Sequence, residues 1–152
     1  MGKRILAVDD EPRVLAVIQR RLEAAGYEVI TAVEGYEGLK KARNESPELI
    51  VLDLILPNLN GYQICAMLKG DKRYKEIPIL MLTARSQEQD ITEGMRVGAD
   101  AYMTKPYDAQ MFLDQIANLL AESDRKREAA KQQEVEKTKE IIDHLKWKEK
   151  TL

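Results

Sequence analysis

Three carboxylates, a hydroxyl and an ammonium stand at the ends of short apolar runs in this chain. Ile5-Leu6-Ala7-Val8 stops at Asp9-Asp10, Leu49-Ile50-Val51-Leu52 at Asp53, and Ile79-Leu80-Met81-Leu82 at Thr83. A fourth run, Ala101-Tyr102-Met103-Thr104, leads into Lys105-Pro106. Each run has the length of a buried strand. In a parallel sheet the carboxyl ends of the strands lie together, so these side chains are expected to meet in one crevice. Clustered carboxylates repel one another, which raises at least one pKa or calls for a cation. Mg²⁺ suits the set, because it commonly takes one or two carboxylates, several waters and a phosphate oxygen. A carboxylate held beside it can attack phosphorus and form an acyl phosphate, while the metal neutralises charge on the moving phosphoryl oxygens. Lys105 adds a second positive charge, and the Thr83 hydroxyl can donate to a phosphoryl oxygen. Singly, each residue is ordinary: acidic pairs are common at helix starts, and lysine before proline is common in loops. Their recurrence at four successive strand ends carries the reading.

The elements that must position these residues alternate strictly. Strands are expected over 4–9, 27–32, 49–53, 79–83 and 100–104. Helices are expected over 12–25, 35–45, 62–69 and 87–97, with a last one beginning at the cap Asp108. The apolar positions Val14, Leu15, Val17, Ile18 and Leu22 follow a helical period. Pro12 suits a first helical turn, and Gly26 suits the left-handed residue after a helix end. The 49–53 run is apolar on both faces, as a central parallel strand requires. Pro57-Asn58-Leu59-Asn60-Gly61 reads as a loop. Five strands and five helices in alternation give an α/β fold, a doubly wound parallel sheet.

The chain of 152 residues is about one domain and long enough to bury a core. A net charge of −2 gives no general attraction to nucleic acid or anionic lipid. The single cysteine, Cys65, excludes an internal disulfide and falls among apolar neighbours, as a buried small hydrophobe would. No segment approaches the ~20 apolar residues of a membrane span. The N-terminus enters a strand pattern without a secretory signature, so the expected location is cytoplasmic. From Ala121 the composition changes: residues 121–152 hold 9 Lys/Arg and 8 Asp/Glu, with no glycine or proline. A globular body over 1–120 and a charged helical extension over 121–152 are therefore expected. Within the extension, Val135, Thr138, Ile142, Leu145, Glu149 and Leu152 repeat at alternating spacings of three and four, a weak coiled-coil seam. A solvated helix and a dimerising coil both fit. No DNA-reading module fits in the extension.

Asp9-Asp10, Asp53, Thr83-Ala84 and Lys105-Pro106, in this order and spacing, resemble the response-regulator receiver domain of two-component signalling over about residues 3–120. Gly61 after Leu56-Pro57, and Gly98-Ala99-Asp100 before the last strand, follow the same pattern. The resemblance implies a flavodoxin-like sheet in the order 2-1-3-4-5 with helices on both faces. It implies Asp53 as phosphoacceptor, with Asp9, Asp10, Asp53 and the backbone carbonyl of Ile55 as Mg²⁺ ligands. Thr83 and Lys105 would contact the phosphoryl group. Tyr102 would move as Thr83 is drawn toward the new oxygens, reshaping the surface of the fourth helix, fifth strand and fifth helix. Ile55 and Arg85, two residues beyond Asp53 and Thr83, would tune the phosphoryl lifetime. The implied partners are a histidine kinase or phosphotransfer protein, and a second copy through the helix 4–strand 5–helix 5 face or the C-terminal helix. Catalysis would be limited to the chain's own phosphorylation and dephosphorylation. The competing reading is a Mg²⁺-dependent aspartyl-phosphate hydrolase of a small substrate. Such enzymes place a second carboxylate two residues after the nucleophile, where this chain has Ile55.

Overall fold

The structure is a computed structural model that describes residues 2–151. Five parallel strands, β1 (Arg4–Val8), β2 (Glu28–Ala32), β3 (Leu49–Leu52), β4 (Ile79–Thr83) and β5 (Ala101–Thr104), pair in the order β2-β1-β3-β4-β5. Helices α1 (Pro12–Ala24), α2 (Gly35–Glu45), α3 (Gly61–Lys69), α4 (Glu88–Arg96) and α5 (Ala109–Thr151) alternate with them. The expected fold class and strand order are both present.

Alternation along each strand divides the core into two layers. Leu6, Val8, Ile50, Leu52, Ile79 and Met81 face one side, packed with Leu39 and Ala42 of α2 and with Ile64, Cys65 and Leu68 of α3. Ile5, Ala7, Leu49, Val51, Leu80 and Leu82 face the other, against Leu15, Ile18 and Leu22 of α1 and Phe112 and Ile116 of α5. β1, β3 and β4 therefore have apolar side chains on both faces, which is why their sequences read as unbroken apolar runs. Burial of this kind stabilises at roughly 25 cal/mol per Å² of apolar surface removed from water. Cys65 is fully buried, and burial pushes its thiol up to about 11.

The element ends differ from the sequence expectation by about one residue, and the polar chemistry explains the difference. β1 stops at Val8 rather than residue 9, and β3 at Leu52 rather than 53, so Asp9 and Asp53 stand just past the ladder. β5 begins at Ala101 rather than 100 because the Asp100 carboxylate accepts from the Ile79 N–H and the Lys69 Nζ, each at 2.8 Å. α3 begins at Gly61, capped by Asn60 and Gln63, which accept reciprocally from each other's backbone N–H. Asp108 caps α5 through the Met111 N–H at 2.9 Å, and Gly26 takes φ +97°, the left-handed position expected after α1.

The chain divides into two compact units, 1–120 and 121–152. In the second unit the large apolar side chains of Val135, Ile141, Ile142, Leu145 and Trp147 are exposed. Leu152, the last position of the expected seam, lies outside the described residues.

Candidate phosphoacceptor and metal site

The carboxyl ends of β1 and β3 are adjacent because these strands pair in register, Val8 with Leu52. The residues that follow are tied to the sheet by their own backbone. The Asp9 N–H donates to the Ala32 carbonyl, and the Asp53 N–H donates to the Val8 carbonyl, both at 3.1 Å. This brings one carboxylate oxygen each from Asp9, Asp10 and Asp53 within 4.8 Å of one another. Asp9 and Asp53 are buried and Asp10 is exposed, so the cluster opens to solvent on one side. A compact oxygen-only donor set of three carboxylates with a wet side suits Mg²⁺, which retains several waters and is held by few protein ligands. The set therefore fits the expected cation by its chemistry.

Lys105 is the counter-charge. Its Nζ lies 2.6 Å from Asp9 Oδ2 and 3.1 Å from Asp53 Oδ2, bridging the two buried carboxylates. Its backbone N–H donates to the Thr83 carbonyl at 2.8 Å, which fixes the start of the β5–α5 loop against β4. The remaining oxygens of the two carboxylates accept from backbone: Asp9 Oδ1 from the Glu11 N–H at 2.9 Å, and Asp53 Oδ1 from the Ile55 N–H at 3.2 Å. Burial pushes the Asp9 carboxyl above its ordinary range. The Lys105 and Glu11 hydrogen bonds pull it down, and the Asp53 charge adds a smaller upward push. The sequence argument expected repulsion among the acids to raise a pKa; desolvation is the larger cause at Asp9. Burial lowers the Lys105 ammonium, but the hydrogen bond to Asp9 and the charge of Asp53 outweigh it, and the net shift is upward.

Thr83 is fully buried, and its hydroxyl accepts from the Arg85 N–H at 3.4 Å. Tyr102 reaches the same loop from β5: its phenol donates to the Arg85 carbonyl at 2.8 Å. Burial, followed by the charges of Tyr62 and Asp90, pushes the Tyr102 phenol up to about 12, so it is a donor throughout the physiological range. Its ring lies against α4 at Gly94, where a Cβ would sit 3.0 Å from Tyr102 Cδ2. Ile55 and Arg85 are both exposed beside this cluster.

The structure thus brings together Asp9, Asp10, Asp53 and Lys105, and places Thr83, Arg85 and Tyr102 on one connected loop system. Sequence reasoning missed three supports. The Lys105–Asp9 pair joins residues far apart in sequence. The Tyr102–Arg85 bond uses a backbone carbonyl, which carries no residue signature. Gly61 packs against the backbone of the Asp53–Leu54 segment, with a built Cβ clashing with the Asp53 carbonyl and lying 2.9 Å from Leu54 Cα. The Gly at 61 was the one available signal for that contact.

The family model of the response regulator receiver domain matches residues 5–117. The chain belongs to this family, the receiver domains of two-component signalling. It is 44% identical over 132 residues to the DNA-binding dual master transcriptional regulator RpaA of Synechocystis, covering 87% of this chain and 55% of that protein. It is 46% identical over 124 residues to the alkaline phosphatase synthesis transcriptional regulatory protein PhoP of Bacillus subtilis, covering 82% of this chain and 51% of that one. The chain spans about half the length of these two curated relatives. Among solved structures, a CheY-like receiver domain protein from Methanospirillum hungatei superposes with a TM-score of 0.78 at 32% identity, covering 83% of this chain and 99% of the other. The receiver domain of a sensor histidine kinase from Pseudomonas aeruginosa superposes with a TM-score of 0.74 at 26% identity, covering 80% and 99%. That structure holds a magnesium ion coordinated in its active-site cleft. Among the described residues of the present chain, no helix is long and apolar enough to cross a membrane.

Proposed function

We propose that this chain is a phosphorylation-dependent signalling switch in which Asp53 is the phosphoacceptor and residues 1–120 form the receiver. The observation that carries the proposal is the convergence of three carboxylates within 4.8 Å with the Lys105 Nζ 3.1 Å from Asp53. Asp9, Asp10 and Asp53 would hold Mg²⁺, joined by the backbone carbonyl of Ile55. The ion, when bound, supplies charge neutralisation for the phosphoryl oxygens. An Asp53 oxygen attacks phosphorus, and an O–P bond forms as the bond to the donor nitrogen or oxygen breaks. The donor is a phosphohistidine of a kinase or phosphotransfer protein, or a small acyl phosphate. Lys105 already touches Asp53 and stays beside the added group as a fixed cation. The Thr83 hydroxyl turns from the Arg85 N–H to donate to a phosphoryl oxygen, a charge-assisted bond of roughly 1.5–3 kcal/mol. That movement loosens the loop that Tyr102 holds through Arg85, and so alters the α4–β5–α5 surface offered to an output partner. Ile55 and Arg85, exposed at the rim, set how readily water reaches the acyl phosphate.

A groove beside Lys105 supports protein docking at this edge. It is lined by Arg13, Val14, Val17, Arg21, Pro106 and Tyr107, cations over apolar walls. The competing hydrolase reading lacks its acid/base: the position two residues after Asp53 is the apolar Ile55. Stoichiometry tests the proposal. With acetyl phosphate and Mg²⁺, the full chain should take up about one phosphoryl group per molecule and release it slowly. Sustained turnover of the donor with no labelled protein would overturn the switch and favour a hydrolase.

A further inference from the structure

Two ion pairs within the helix engage four of the charged side chains of the extension. Upstream, Lys126 pairs with Glu122 and Arg127 with Asp124 along the helix. Further on, Lys131, Glu134, Lys148 and Glu149 have no ion-pair partner among the described residues. The same stretch exposes Ile142 at 44%, Val135 at 52%, Leu145 at 56% and Ile141 at 61%, a run of aliphatic side chains on a helix rich in charges. Thr138 interrupts them only in name. Its hydroxyl donates to the Glu134 carbonyl at 3.0 Å, so its polar atom is satisfied within the helix and its methyl is free to pack. Trp147 lies on the opposite side of the helix, stacked on His144 with centroids 6.4 Å apart, and takes no part in this face.

Two copies could meet along this face in parallel or antiparallel register, and the charges discriminate. In parallel register each seam residue meets its own copy. Val135, Ile142 and Leu145 would self-pair acceptably, but Glu149 would face Glu149 of the second copy inside the seam. Glu134 would gain Lys139 of the second copy, while Ile141 would flank Lys146. In antiparallel register the layers become Val135 on Leu145, Thr138 on Ile142, and Lys131 on Glu149. Each occurs twice by symmetry. The carboxylate that spoils the parallel seam now meets a lysine. At one flank Glu134 faces Lys148 and Ile141 meets Ile141 across the two-fold axis; at the other Lys139 faces Lys139. Lys131, Glu134, Lys148 and Glu149 then each face a charge of opposite sign, against the one like-charge contact of Lys139, and all four exposed aliphatic residues are covered.

We infer that residues 131–149 form an antiparallel, two-fold symmetric helix pair with a second copy of this chain. The overlap runs about 27 Å, which makes a short and reversible contact. It is independent of the phosphoacceptor assignment.

Sedimentation of the full chain up to a concentration on the order of 1 mM should show a species of twice the 17.4 kDa chain mass. Lys131→Glu should weaken association at least fivefold, and Lys131→Glu combined with Glu149→Lys should restore it. Orientation is read by oxidative cross-linking. A mixture of a Glu149→Cys chain with a Lys131→Cys chain should give a disulfide-linked pair that neither gives alone. Circular dichroism of each variant would show that the receiver remains folded. A monomer at the highest concentration, or a Glu149→Cys chain that links to itself, would overturn the inference.

Discussion

Asp9 shows how the site trades stability for charge. Its folded-state pKa is raised above the unfolded value, chiefly by burial. A raised carboxyl pKa means that the folded state holds the proton more tightly than the unfolded chain. Stability from this group is therefore present below the unfolded pKa and falls as pH rises through the folded one. At neutral pH, Asp9→Asn should stabilise the metal-free protein, by about the 0.5–2 kcal/mol that single stabilising substitutions commonly yield. The same variant should lose Mg²⁺ binding. Denaturant melts with and without the metal check both signs together. Lys105 works in the opposite sense: its raised pKa stabilises the fold below about 10.5 and the contribution is lost as pH climbs past the folded value.

At the scale of the elements, two contacts set the machinery. Gly61 opens α3 directly against the backbone that carries Asp53. Gly61→Ala should destabilise by about 1–3 kcal/mol, because a methyl there must displace main chain rather than a flexible side chain. Urea unfolding would measure it. Tyr102 ties β5 to the loop after β4 through the Arg85 carbonyl. Tyr102→Phe should cost about 0.5–1.5 kcal/mol and speed amide exchange in residues 84–87, with the sheet unaffected. The strands themselves were legible in the sequence, since β1, β3 and β4 are buried on both faces and an apolar run can end only where the sheet does. The acidic and hydroxyl endings were legible for the same reason. The particular Lys105 bridge to Asp9 and the Tyr102–Arg85 bond were not, whereas the Asn60-x-x-Gln63 capping box carried a local signature as the Asp108 cap did. The bridge and the Tyr102 bond depend on where a side chain meets backbone or a distant residue, and residue types along a chain do not carry that. The one-residue shift at β5 is of the same kind: the Asp100 carboxylate accepts from the Ile79 N–H and the Lys69 Nζ, while its own N–H still donates to the Ile79 carbonyl.

For the whole molecule, the fold gathers Asp9, Asp10 and Asp53 at the carboxyl ends of the strands and sets Lys105 beside two of them. Mg²⁺ added at a hundred times its dissociation constant should stabilise the receiver by about 2.7 kcal/mol, a rise of several degrees in Tm, and the rise should vanish in Asp9→Asn. Site mapping of the phosphoryl group is the direct test of the central claim. After treatment with acetyl phosphate and Mg²⁺, peptide mass analysis should place the label on Asp53, and an Asp53→Asn chain should take up none. A label on another residue, or equal labelling of the Asp53→Asn chain, would contradict the account.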